Sequence, residues 1–173
     1  MTRSFAVAGF ALALTLAAAS AAEAQPRLLV GGGFSAPNGS IADVADPGYH
    51  AQLGLQIRLP SLPLSLRGDG GIHRLGAANA SLSRTQVIGG AASVIFHLPG
   101  VGLQPYVLGG VGSYRTKSGP AGAPSTVTDT GYHGGFGLVL GGTGLGGFAE
   151  LRYVRISDPG STTLIPLTLG LRF

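Results

Sequence analysis

The residues of this chain best suited to acid–base or metal chemistry are its four histidines, His50, His73, His97 and His133. Nucleophilic catalysis would need one of them to activate a serine while a carboxylate orients its ring. The acidic residues fit an arginine cluster better than that role. A metal site is conceivable from three of the histidines, but these lie on different predicted strands and spacing cannot show convergence. We therefore predict no catalytic residue, no cofactor and no metal site.

Six charged residues form a second candidate site, a charge cluster inside the fold. Within their segments they take the side opposite to the leucines, and they are Arg58, Arg67, Asp69, Glu150, Arg152 and Arg172. If this side is enclosed, the two carboxylates must neutralise arginines, because buried charge requires a partner. The cluster is interpreted as a structural plug, with a ligand or ion path as the alternative.

The first 24 residues resemble a secretory signal peptide in their order of features. Arg3 precedes an apolar run over 5–18, and Ala22-Glu23-Ala24 supplies a small-x-small cleavage site. The run is shorter than the roughly 20 residues of a membrane-spanning helix. We predict that residues 1–24 are a cleaved Sec signal and that residues 25–173 form one domain.

The composition favours a surface that does not face water. Charged residues make up 10% of the chain and apolar residues 45%, whereas soluble domains contain about 25% charged residues. Cysteine is absent, so the sequence offers neither a disulfide nor a site for an acyl anchor. The net charge is +4 but the basic residues are scattered, which disfavours nucleic-acid binding.

Apolar residues recur with period two, which is typical of strands. In 52–59, Leu53, Leu55, Ile57 and Leu59 alternate with polar residues or glycine. The same pattern predicts eight strands, at 27–36, 48–59, 64–74, 85–98, 103–115, 129–140, 145–156 and 162–173. In the fifth segment both parities are apolar, so its outward face stays unassigned.

Long and short connections alternate along the chain. The long ones span 37–47, 75–84 and 116–128, and the short ones 60–63, 99–102 and 141–144. In a membrane, strands must close into a barrel because unpaired edges are costly in hydrocarbon. Eight strands give an up-and-down antiparallel barrel whose lumen side chains fill. The short turns and both termini are expected on the periplasmic side, and the solvated rings of His50, His73 and His133 near the external rim.

Aromatic residues are expected to point outward near the strand ends, as interfacial girdles. Those assigned to the external rim are Tyr49, Tyr114 and Tyr132, and those assigned to the periplasmic rim are Phe96, Tyr106, Phe148 and Phe173. Glycines at 109, 110, 134 and 135 are expected to permit the sharp coiling of a small barrel.

The last strand carries the motif that points to a known family. Ile165, Leu167, Leu169, Leu171 and Phe173 alternate up to a terminal aromatic, and this resembles the C-terminal β-signal of bacterial outer-membrane proteins. Pro105-Tyr106-Val107 followed by Gly109-Gly110-Val111-Gly112 is similar to the fifth strand of the outer-membrane β-barrel domain family of small OmpA-like, OmpX-like and opacity-type barrels. Pro166 departs from the usual β-signal.

The resemblance implies a monomer in the bacterial outer membrane, with membrane lipid and the barrel-assembly machinery as partners. Leu167, Leu169, Leu171 and Phe173 would be the assembly signal. Family roles include envelope integrity and surface interaction through external loops. Some small barrels are lipid A deacylases, but no histidine here is followed by the closely spaced serine of that pattern. Two alternatives stay open: a soluble lipocalin-like carrier with inward leucines, and a narrow-pore channel.

Overall fold

A computed structural model describes residues 26–79, 81, 84–120, 123–141, 144–157 and 162–173. The predicted signal peptide at 1–24 lies outside the described residues. These residues form the eight predicted strands and one short 3-10 helix, Gly39–Asp43, between the first two. The strands are β1 Pro26–Asn38, β2 Ala45–Arg58, β3 Leu64–Ala77, β4 Gln86–His97, β5 Leu103–Ser118, β6 Ser125–Leu140, β7 Gly146–Ile156 and β8 Thr163–Arg172.

The strands close into one antiparallel barrel. Each strand pairs with the next along the chain, and β1 pairs with β8. The register, followed once around the barrel from Arg27, returns to β1 at Pro37, a stagger of 37 − 27 = 10 residues. Such a stagger accompanies the tilt that closure requires. The eight-stranded up-and-down barrel is therefore confirmed, with every strand edge paired.

Alternation along each strand separates an outer from an inner face. On β8, Leu169 is 65% exposed while the neighbouring Thr168 is 1% exposed. On β2, Leu53 and Leu55 are exposed and Gly54 and Gln56 are buried. The leucine-bearing face therefore lies outside, which is the opposite of what a soluble carrier requires.

The barrel interior contains two apolar clusters at different heights. The cluster nearer the end with the long connections, called the outer cluster, consists of Ile41, Ala45, Leu75, Val87, Tyr114, Val154, Ile156 and Leu164. The cluster nearer the end with the short turns, called the inner cluster, consists of Leu29, Ile95, Tyr106, Leu108, Val139 and Phe148. Ile41 belongs to the 3-10 helix, so the connection between β1 and β2 contributes to the outer cluster. On β7 the order is Phe148, Glu150, Arg152, Val154, which places a polar layer between the two clusters.

Three aromatics predicted on the outer face lie inside instead. Tyr106, Tyr114 and Phe148 are only 3–6% exposed. Each is opposite a glycine on the neighbouring strand: Tyr106 opposite Gly137, Tyr114 opposite Gly89 and Phe148 opposite Gly170. A Cβ at any of these glycines would overlap the facing ring. The outward assignment was wrong because the rings fill space that the inward glycines leave.

The other four aromatics are exposed as predicted: Tyr49, Phe96, Tyr132 and Phe173. In β5, whose outward face the sequence left open, Val107 and Val111 point outward and Leu108 inward. Tyr106 and Tyr114 share the inward parity with Leu108, so the residues of the other parity in β5 face outward.

The connections differ between the two ends of the barrel. The end where β1 begins and β8 ends has short turns after β2, β4 and β6. Among their described residues, Ser61, Gly102 and Gly141 have positive φ. At the other end the strands continue further than predicted. The expected loop 116–128 is largely strand, because β5 extends to Ser118 and β6 starts at Ser125. No helix in the described part of the chain is long and apolar enough to cross a membrane.

Candidate functional site in the lumen

Four of the six predicted cluster residues meet in the polar layer. Arg67 and Asp69 lie two apart on β3, and Glu150 and Arg152 lie two apart on β7, so each pair shares one strand face. Because β3 and β7 are not neighbours, their contacts cross the lumen. The geometry thus joins opposite walls of the barrel through side chains.

The ion pairs of this network are short. Arg67 Nη2 lies 2.6 Å from Glu150 Oε2, and Arg152 Nε lies 2.5 Å from Glu150 Oε1. Arg152 also donates to both oxygens of Asp69, with Nη2 2.5 Å from Oδ1 and Nη1 3.2 Å from Oδ2. Tyr106 donates its hydroxyl to Glu150 Oε2 at 2.6 Å. Two arginines and two carboxylates make the network neutral.

Burial makes this neutrality a condition of stability. Glu150 is 1% exposed and Arg67 is 3% exposed. Removing one partner from a buried ion pair leaves an uncompensated charge and costs about 3–5 kcal/mol. A cavity of about 30 Å³ beside Asp69 and Arg152 has room for one or two water molecules. The network therefore fills the middle of the lumen.

The other two predicted residues occupy the end of the barrel with the short turns. Arg58 is the last residue of β2 and is exposed, while Arg172 is the last residue of β8 and is 7% exposed. Arg27, the second residue of β1, lies at the same end of the barrel. These arginines form a basic group at this end, separate from the four-residue network.

The prediction of solvated histidines at the rim was wrong for His50 and His133, which are each 4% exposed inside the lumen. His73 is half-buried and stacks on His50 with ring centroids 5.1 Å apart. Ser35 Oγ lies 3.1 Å from His50 Nδ1 and 2.7 Å from His73 Nδ1. His50 Nε2 is also 2.8 Å from Thr168 Oγ1. Rings that take the inward parity find hydroxyl partners there, so they are enclosed rather than solvated.

Serine–histidine pairing recurs elsewhere in the lumen. Ser93 Oγ lies 2.8 Å from His133 Nε2, and Ser65 Oγ lies 2.8 Å from His97 Nε2. All the partners come from different strands, 32 and 40 positions apart, so spacing along the chain did not find them. The sequence does show that these serines and histidines share the inward parity of their strands. This identifies them as lumen residues but does not show which serine meets which histidine.

These pairs lack the third group of a hydrolytic triad. Among the described residues, Nδ1 of His97 and Nδ1 of His133 have no hydrogen-bond partner, and the two central carboxylates are engaged by arginines. Ser65 and Ser93 are buried at 0% and 4% exposure. A serine nucleophile needs a base that is itself oriented, and access for substrate. The geometry is that of hydrogen-bonded packing.

Metal binding finds no support in the same region. Within the ranges that the structure describes, no three histidine or carboxylate side chains come together in a way that would hold a metal ion. His50 and His73 are close, but His133 pairs with Ser93 instead.

The residues of the predicted assembly signal share the outer face of β8. Leu167, Leu169, Leu171 and Phe173 are 49–65% exposed. The backbone of Phe173 exchanges hydrogen bonds with Leu28, so the last residue is joined to β1. The four side chains thus form one apolar row beside the barrel seam.

Comparison with known proteins places the chain in a family. The model of the outer membrane protein beta-barrel domain matches residues 8–173. No curated protein sequence is significantly similar to the chain.

Solved structures with the same fold come from several outer-membrane proteins. Neisserial surface protein A has a TM-score of 0.72 at 16% identity, covering 86% of this chain and 97% of its own. Ail, the attachment invasion locus protein of Yersinia pestis, has a TM-score of 0.59 at 16% identity, covering 87% and 99%. The outer membrane enzyme PagL has a TM-score of 0.54 at 13% identity, covering 86% and 100%. At these identities the likeness establishes the fold and no activity. From the family match over nearly the whole sequence, the chain belongs to the bacterial outer-membrane protein β-barrel domain family.

Proposed function

We propose that this protein is an integral outer-membrane barrel whose lumen is a structural plug and whose role is envelope integrity. The observation that carries the proposal is the neutral ion-pair network held between two apolar clusters. Its long connections face the exterior and its short turns the periplasm, as is usual for such barrels.

The stacking of layers supports a plug over a narrow pore. A conducting path needs continuous water, whereas the outer cluster closes the lumen with Leu75, Val87 and Ile156, each at most 1% exposed. Below it, the carboxylates are bonded to arginines from across the barrel. Carboxylates that are bonded in this way connect opposite strands of the barrel and are not free to bind a passing ion.

Conductance in planar bilayers tests the plug. We expect the purified full chain to insert without steady open-channel current. A matched variant, Val87→Gly with Ile156→Gly, thins the outer cluster and should show intermittent conductance if this cluster forms the seal. Steady conductance of the unaltered chain would favour the narrow-pore alternative instead.

A second candidate function is surface interaction, and the extended β5–β6 hairpin favours it. The ladder continues to the pair Ser118 and Ser125, and the residues at 125–128 are exposed. A paired ribbon beyond the rim presents a preorganised surface, which lowers the entropic cost of binding. Replacing 117–126 by a two-residue turn should leave folding intact. If this role holds, bacteria that carry the shortened protein should no longer attach to a surface to which bacteria with the full chain attach.

We further propose that the barrel is not an enzyme, although the fold is shared with PagL. The buried Ser65 and Ser93, and histidines without an orienting carboxylate, support this proposal. Release of a chromophore from p-nitrophenyl acyl esters by the folded protein, lost in Ser93→Ala, would contradict it. Equal background rates for both proteins are expected.

Export and assembly complete the proposal. Residues 1–24 act as the Sec signal, and the row from Leu167 to Phe173 is recognised by the barrel-assembly machinery. We expect Phe173→Ala to reduce the amount of heat-modifiable protein in the outer-membrane fraction while Leu53→Ala, an exposed apolar residue on β2 outside the row, does not. Unchanged assembly of the Phe173 variant would contradict recognition at this position.

A further inference from the structure

A groove on the outer surface runs across β2 to β5 and is not explained by the plug. Its volume is about 490 Å³, and its lining includes Leu55, Leu66, Gly68, Ala92, Gly109 and Val111. A Cβ at Gly68 would meet no atom within 4 Å, and one at Gly109 would meet only a carbonyl oxygen at 3.8 Å. The groove floor is therefore backbone at the level where the flanking strands project leucine and valine. Its volume lies in the range of small-molecule sites, roughly 300–1,000 Å³.

The rim above this groove is basic. The exposed Arg74 lies near the end of β3, and Arg115 and Lys117 lie near the end of β5. Arg84 lies in the connection before β4. All four are exposed, and none forms an ion pair with any described residue, including the external acids Asp43, Asp46 and Asp129.

A recess at the same rim brings two of these cations together. Its volume is about 520 Å³, and Arg74 and Arg84 line it together with Tyr49 and Gln86. Arginines at a recess match the oxygens of a phosphate in geometry as well as charge. The recess therefore suits an anionic headgroup.

The spacing between groove and rim fits the thickness of one lipid monolayer. Arg115 is four residues beyond Val111 on β5, about 13 Å at the rise of a strand. Arg74 is six residues beyond Gly68 on β3, about 20 Å by the same rise. These lengths run along strands that tilt by about 35–45° from the barrel axis, so along that axis they are about 10 and 15 Å. Half of a bilayer's hydrocarbon core is about 15 Å. A lipid with its phosphate at the rim would therefore place its acyl chains in the groove.

We propose that this surface is a binding site for an anionic, phosphate-bearing membrane lipid. One acyl chain lies along Gly68, Ala92 and Gly109, and the phosphate contacts Arg74 and Arg84 in the recess. The occupant is a lipid rather than a second barrel, because four cations at one end of the groove would repel those of an identical chain. This proposal rests on the membrane residence and orientation given under the proposed function.

The absence of tryptophan allows a direct test with single reporters. Val111→Trp places a fluorophore at the groove, and Leu169→Trp places a matched one on the outer face of β8. Each full-chain variant is folded into phosphatidylcholine vesicles with a minor fraction of phosphatidylglycerol whose acyl chains are brominated and quench tryptophan. We expect stronger quenching at position 111 than at 169. With brominated phosphatidylcholine as the minor lipid, the two positions should be quenched equally.

Charge removal then tests the rim. Each basic residue near an anionic lipid surface favours binding roughly fivefold, so Arg74→Gln with Arg84→Gln, the two arginines of the recess, should remove most of the excess quenching at position 111. Arg155→Gln, on β7, is the control and should leave it unchanged. Equal quenching of both reporters by brominated phosphatidylglycerol, or an excess that survives the double substitution, would overturn the site.

A third arm separates this proposal from the proposed function. When all the phosphatidylcholine is brominated, both reporters should be strongly quenched because both face lipid. If neither is quenched, the chain does not span the membrane as proposed. If both are quenched there but equally by the anionic lipid, the barrel stands and only the lipid site is refuted.

Discussion

The most informative perturbation is Glu150→Gln, which removes one of the two negative charges in the lumen. The carboxylate accepts from Arg67, Arg152 and Tyr106 at 2.5–2.6 Å. In the variant, both arginines depend on Asp69, which leaves one uncompensated positive charge in a buried layer. The amide also supplies only one oxygen for three donors.

The expected loss follows from that geometry. Glu150 is 1% exposed, so solvent cannot replace the missing charge, and breaking such a pair costs about 3–5 kcal/mol. We expect the free energy of unfolding to fall by this amount. Urea titration of protein folded in phosphatidylcholine vesicles, followed by heat-modifiable gel migration, measures the change.

Two further variants separate charge from hydrogen bonding. Tyr106→Phe removes one hydrogen bond to the carboxylate and should cost about 1–3 kcal/mol. The double variant Glu150→Gln with Arg67→Gln restores neutrality and should be less destabilised than the sum of its two single variants. If Glu150→Gln is no worse than Tyr106→Phe, or if the double variant is strictly additive, the network is not held together by buried charge and the reasoning is wrong.

Three other predictions concern packing and the two faces of the barrel. Gly137→Ala introduces a Cβ that overlaps the Tyr106 ring and a backbone oxygen, and we expect a loss of about 1–3 kcal/mol in unfolding free energy, against little change for Gly68→Ala, where the space is open. Ser35→Ala removes the hydroxyl shared by two lumen histidines and should cost about 1–3 kcal/mol in the same titration; an unchanged midpoint would show that the histidines have other partners. Leu169→Arg puts a charge on the lipid-facing side and should cost up to about 2–4 kcal/mol, with the larger value near the bilayer midplane, whereas a neutral result in vesicles would argue that this face meets water.

Strand content could be predicted because its cause is local. Period-two alternation in 52–59 or in the last strand distinguishes two faces without any knowledge of partners, and the composition indicates which face meets lipid. The wrong outward assignments of aromatic residues have two causes. Tyr106 and Tyr114 lie in β5, where both parities are apolar and alternation gives no answer; for Phe148 the alternation was set aside. Phe148 shares the parity of Glu150, so the alternation already placed it inside, but its position near a strand end suggested an interfacial girdle.

Contacts inside the lumen depend on quantities that the sequence does not contain. The charge pattern of Arg67, Asp69, Glu150 and Arg152 identified candidates for a cluster, yet it equally admitted Arg58 and Arg172. The stagger of ten residues around the barrel fixes which inward positions share a height. The stagger brings Ser93 and His133 to the same height, where they form a hydrogen bond. It also places Arg58, the last residue of β2, at the end of the barrel, where its side chain is exposed.

The eight strands and their outward leucines could thus be predicted from alternation alone, and the last strand carried the resemblance to the family. Only the folded barrel shows which inward side chains touch and where aromatic rings fill the space beside glycines. It also shows that a groove on the outer face lies below cations that form no ion pair with any described residue. The physical reason is that alternation is a property of one strand, whereas closure imposes a common register on all eight and thereby selects contacts between residues distant in the chain.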